Sequence, residues 1–110
     1  MKILTFLLFP LFLSAQETKI YATDFAGLSA TATLNFSNTL GGGKEDLTIS
    51  VTGAAAGDPV VLGVPIAAMA TDGVFIAWVS ATDVVTVRFA NNSGTAIDPA
   101  SGSFKVFVLK

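Results

Sequence analysis

Two stretches of this chain alternate apolar and polar side chains residue by residue, and that alternation restricts them to extended structure. In "LSATATLNF", Leu28, Ala30, Ala32, Leu34 and Phe36 share one side, and Ser29, Thr31, Thr33 and Asn35 share the other. In "LTISVTG", Leu47, Ile49 and Val51 oppose Thr48, Ser50 and Thr52. A period of two is the mark of a strand with one buried face. The segment between them, "SNTLGGGKED", reads as a flexible hairpin loop, because three consecutive glycines lose most backbone entropy when ordered.

The remainder continues in the same manner. "VVLGV" (60–64) is a short strand, with Gly63 a candidate bulge or close-approach point. "PIAAMATDG" could form a single helical turn, with Pro65 at a first helical position, or an irregular crossover; being short, it reads as loop. "VFIAWVSA" puts Val74, Ile76 and Trp78 on one face and Phe75, Ala77 and Val79 on the other, so both faces should be covered. Trp78, sharing a side with Val74 and Ile76, is expected in the core. After a tight turn at Asp83, "VVTVRFA" turns Val85, Val87 and Phe89 one way and Val84, Thr86, Arg88 and Ala90 the other. Arg88 is expected on a solvated face or paired with an acid. "SFKVFVLK" closes the chain with Phe104, Val106 and Val108 opposite Lys105, Phe107 and Leu109. No long apolar repeat of 3.6 residues occurs. Short strands punctuated by Gly, Pro, Asn and Asp indicate an all-β fold, a single antiparallel β-sandwich of jelly-roll or immunoglobulin-like Greek-key type with about six to eight strands.

The first residues follow a different logic. Lys2 precedes an apolar run, Ile3–Leu13, broken only by Thr5 and Pro10, and Ser14, Ala15 and Gln16 form a small or polar exit. This is the pattern of a secretory signal peptide, assigned to residues 1–16, with the sandwich over 17–110. The run is too short for a stable membrane span, since about 20 helical residues are needed to cross a bilayer. The ending "SAQ" is similar to signal-peptide ends common in the Bacteroidetes. Cleavage after Gln16 leaves a chain with net charge −3, against −2 for the whole sequence, because Lys2 is lost. The remaining basic residues, Lys19, Lys44, Arg88, Lys105 and Lys110, do not cluster, which argues against nucleic acid as a partner.

The chain contains neither histidine nor cysteine. Acyl-transfer triads and zinc sites of the Cys/His type therefore have no residues to form them, and no disulfide staples the domain. The carboxylates are Glu17, Asp24, Glu45, Asp46, Asp58, Asp72, Asp83 and Asp98. Asp58, Asp83 and Asp98 fall in turns, where aspartate bonds to nearby backbone. The glycines at 41–43 lack the Lys-Ser/Thr ending of a phosphate loop. Two sequons, Asn35-Phe36-Ser37 and Asn91-Asn92-Ser93, are short enough to arise by chance and are assigned no role. No catalytic, cofactor-binding or metal-binding residue is assigned. A small aspartate-based hydrolase is the weakest of the rival readings.

Excess apolarity is more informative. The 73–81 and 103–109 strands are apolar on both faces, yet a two-layer sandwich leaves each sheet an outer face. A homotypic partner is the simplest cover, because large exposed apolar patches are uncommon on monomers.

Four pieces in order, "SATATLNF", "EDLTISVTGAAAGDPVVLGVP", "VFIAWVSATDVVTVRFANNSGTAIDP" and "SGSFKVFV", resemble a small domain of tailed-phage virion proteins, often near their C-termini. The resemblance covers about three quarters of the chain. It implies a β-sandwich that decorates a head or tips a fibre as an oligomer, and it implies no catalytic residue. The departure from that family is the export signal, since virion proteins assemble in the cytoplasm. The expected function is thus a non-enzymatic, self-associating structural or interaction module, with loops 37–46 and 91–102 free to touch a partner. The alternative is a secreted bacterial surface-adhesion or carbohydrate-binding module. Expected partners are a second copy, virion proteins or a cell-surface glycan. Localisation is secreted, periplasmic or cell-surface if the signal is cleaved, and the virion if the gene is phage-borne. N-terminal sequencing of the native protein should begin at Gln16 or Glu17; a start at Met1 would remove the export reading.

Overall fold

The computed structural model describes residues 27–69 and 72–110. The expected signal segment and the start of the expected domain lie outside those residues. Among the described residues six strands form: β1 (Gly27–Leu34), β2 (Lys44–Ser50), β3 (Val60–Gly63), β4 (Gly73–Ala81), β5 (Val84–Asn91) and β6 (Gly102–Leu109). They make two antiparallel three-stranded sheets, β1-β6-β3 and β2-β5-β4, packed face to face as a β-sandwich. The first strand lies beside the last, and the second beside the last but one. Among the described strands that nesting is the jelly-roll order; in an immunoglobulin sandwich the first two strands share a sheet.

The alternation in the sequence fixes the inner faces. Leu34, Ile49, Val85, Val87, Phe89, Phe104, Val106 and Val108 are all buried, while Ser29, Thr31, Thr33, Thr48 and Ser50 face outward. Phe36 is buried just beyond the end of β1. It meets Phe75, Phe89 and Phe104 with ring centroids 5.5, 6.2 and 5.7 Å away, and Phe75 lies 5.0 Å from Phe89. Such tilted and edge-on pairs each add roughly 0.5–1.5 kcal/mol beyond area burial. The four rings join the two sheets.

Four expectations are revised. The 37–46 segment is not a hairpin loop: β1 and β2 belong to different sheets, residues 37–43 cross between the layers, and Lys44, Glu45 and Asp46 already form the start of β2. It is held by a backbone bridge between Thr39 and Ile97 and by bonds between Gly42, Gly43 and Asn91. Gly42 adopts φ +75°, which suits glycine, and a side chain at Gly41 would collide with the backbone of Ser93 and Gly94. Within "PIAAMATDG", Ile66–Ala68 form one 3-10 turn behind Pro65. Gly63 is no bulge, since the β3–β6 register runs through it unbroken.

The fourth revision concerns Trp78. Val74 and Ile76, 45% and 49% exposed, stand on the outer face with it, and Phe75, Ala77 and Val79 take the core side. The cause is a bulge. The Thr82-Asp83 turn pairs Ala81 with Val84, and an unbroken ladder from that pair would set Trp78 opposite the inward Val87. Instead Val79 pairs with Val85, so Ser80 is one residue too many and Trp78 faces the outward Thr86. A one-residue shift turns over every following side chain. Asp83, the expected turn former, holds that hairpin at φ +66°.

A ring inside the core and the indole on the outer face of β4 should therefore respond differently to truncation. Phe104→Ala removes a fully buried ring of β6 and should cost about 3–5 kcal/mol in urea denaturation. Trp78→Ala should cost clearly less, and the reverse order would place Trp78 in the core after all.

Candidate interaction face

The outer face of the β2-β5-β4 sheet is ordered by its register. Asp46, Arg88 and Ile76 form one cross-strand row, and Thr48, Thr86 and Trp78 form the next. Arg88 makes a two-pronged ion pair with Asp46, Nε to Oδ1 at 2.7 Å and the terminal nitrogen to Oδ2 at 2.9 Å. Its guanidinium also lies 5.0 Å from the centre of the Trp78 ring, within the range of cation–π attraction. Thr86 is buried in this row and donates to Ser80 Oγ at 2.6 Å, tying the bulge residue to β5. The face thus changes character across its width: charged and hydroxylic on β2, apolar on β4. The expectation that Arg88 either sits in solvent or pairs with an acid resolves to the pair. The expectation that β4 is covered on both sides does not hold within one copy of the described residues.

The two loops expected to meet a partner are joined to one another. Asn91 is buried and uses its whole amide. Its Nδ2 donates to Thr39 O at 2.9 Å and Thr95 O at 2.7 Å; its Oδ1 accepts from Ser93 N at 2.9 Å and Ser93 Oγ at 2.7 Å. The sequon amide at Asn91 is therefore committed to the fold. A shallow depression of about 340 Å³ between Ser37 and Glu45 is the concavity at this end. Glu45 on its wall already accepts from Ser37 N at 2.6 Å and Ser37 Oγ at 3.2 Å.

Two of the other described carboxylates, Asp58 and Asp83, serve similar ends, whereas Asp98, also expected to bond to nearby backbone, makes no side-chain hydrogen bond among the described residues. Asp83 Oδ1 accepts from Gly53 N at 2.7 Å, fastening the β4–β5 turn to the chain after β2. Asp58 Oδ2 accepts from Ala55 N at 3.0 Å and pairs with Lys110 Nζ at 2.7 Å, which anchors the C-terminal residue. Among the described residues, no three carboxylates gather where one metal ion could sit. Among the same residues, no helix is long and apolar enough to cross a membrane. Comparison with known protein families, with curated proteins and with solved structures gave no match.

The ion pairs set a pH dependence. The hydrogen bond from Arg88 holds the Asp46 carboxyl below its ordinary value, helped by the charges of Arg88 and Lys44, while desolvation opposes the shift. Lys110, and then the Ala55 amide, does the same for Asp58. A carboxylate with a depressed folded-state pKa stabilises the fold above its unfolded pKa, and loses that contribution as pH falls through the folded value. Urea midpoints should therefore stay level down to about pH 4, near the unfolded aspartate pKa of about 3.9, and fall below it. Asp46→Asn should flatten part of that fall; an unchanged acid limb would contradict the pairing.

Proposed function

We propose that this protein is a non-enzymatic structural or interaction module that associates with copies of itself, in the manner of virion decoration or fibre domains. The observation that carries the reading is the apolar outer face of β4, where Val74 and Ile76 stand about half exposed beside Trp78. Isolated exposed apolar residues are ordinary, but a row of them on one strand face marks a contact surface. The jelly-roll nesting adds support by analogy, because that architecture recurs in viral capsid and lectin domains. A non-catalytic role is supported by the use of Glu45, Asp46, Asp58 and Asp83 in holding loops and strands.

A second reading, a secreted adhesion module that binds glycan, is favoured by one specific arrangement. Trp78 stands outward on a sheet face that also carries Arg88, Asp46, Thr48 and Thr86, the combination of aromatic and polar groups a sugar platform needs. Both readings place the protein outside the producing cell's cytoplasm or on a particle.

Immunogold labelling of intact cells and of particles released from the same culture separates them. Label on released particles is the outcome expected of a virion module. Label on the cell surface, together with binding to a glycan array that Trp78→Ala abolishes, would replace it with the adhesion reading. Label confined to the cell interior would overturn both.

A further inference from the structure

Resting on the reading of self-association, we infer that the copies join through β4, edge to edge and antiparallel, about a twofold axis at Ile76. Four strand edges border the two sheets: β1, β3, β2 and β4. Unpaired strand edges are pairing sites unless charge, proline, a bulge or shortness blunts them. The β2 edge begins Lys44-Glu45-Asp46, and β3 has only four residues. The β1 edge is long, but its exposed side chains are Ser29, Thr31 and Thr33, whose hydroxyls gain little by leaving water.

The β4 edge differs from all three. Nine residues, Gly73–Ala81, contain no charge and no proline, and the single bulge lies at the far end, at Ser80. Among the described residues, the backbone of β4 bonds only to β5. A full jelly roll has eight strands; with six among the described residues, none of these strands lies beside the outer edges of β3 and β4.

Charge selects a second copy as the occupant. On the outer face behind β4, Arg88 and Asp46 neutralise one another, and Asp72, just before β4, falls at opposite ends of a twofold contact centred on Ile76, away from its equivalent. Two β4 edges therefore meet without like charges opposed, whereas β2 edges would bring Lys44, Glu45 and Asp46 near their equivalents. A twofold contact repeats one patch on both sides. Centred on Ile76, the antiparallel register sets Ile76 against Ile76 of the second copy and Val74 against its Trp78. Outward residues then meet outward residues, as the pleat requires. The product is a continuous six-stranded sheet, β2-β5-β4 followed by the same strands reversed, with its apolar outer row merged at the centre.

The absence of cysteine makes the contact directly readable. Directly opposed residues of an antiparallel pair have Cα atoms about 4.5–5.5 Å apart, within the span of a disulfide. The full chain should show a native mass at least twice that of one chain, and Ile76→Lys should lower it to the monomer with an unchanged circular-dichroism spectrum. Ile76→Cys should form a covalent dimer on mild oxidation, and Thr31→Cys, on the β1 face, should not. An oligomer whose mass Ile76→Lys leaves intact, or an Ile76→Cys variant that fails to cross-link, would overturn the β4 contact while leaving self-association standing. A wild-type monomer would overturn both.

Discussion

The extra residue at Ser80 decides which side of β4 meets the core, and most of the molecule's character follows from that choice. With the bulge, Phe75 joins Phe36, Phe89 and Phe104 in a cluster that links the two sheets. Trp78, Ile76 and Val74 are left outside. Without it, the same hairpin would bury Trp78 and turn Phe75 toward solvent. Both arrangements satisfy hydrophobicity on β4 alone, because each of its faces is apolar. The difference lies in what β4 meets: a pocket bounded by three other phenylalanines accepts one more ring, and the outer face offers Arg88 as a partner for the indole.

The ends of the sandwich are secured by polar side chains. No disulfide is available, since the chain has no cysteine. Asn91 binds the 37–45 and 91–97 segments together through all four of its amide contacts. Asp83 fastens the β4–β5 turn to the segment after β2, and Lys110 joins the C-terminus to that same segment through Asp58 and Gly53 O. A buried amide with every hydrogen-bonding atom engaged stabilises its surroundings, while one stripped of partners costs about 1–3 kcal/mol. These ties draw both loop clusters close to the sheets.

The outer face of the β2-β5-β4 sheet has an ordered gradient. The charged row on β2 keeps its edge soluble, the Asp46–Arg88 pair neutralises the middle of the face, and β4 presents Val74, Ile76 and Trp78. Guarded and unguarded edges on one sheet give a single direction for growth. On the proposed contact, a sheet that lengthens on one side only would close as a dimer.

The sequence by itself determined that the chain is all-β, where four of the six described strands bury their side chains, and that it carries no Cys or His for catalysis. Period-two alternation carries this information because each strand has one wet and one dry face, and Leu34, Ile49, Val87 and Phe104 declare it locally. Arg88 declared its face in the same way. Only the tertiary structure decided the phase of β4, the crossing of the glycine segment between sheets and the pairing of Asp46 with Arg88. A strand apolar on both sides has no phase to read, a bulge leaves no compositional mark, and a partner 42 residues away becomes a neighbour only when β2 is laid against β5.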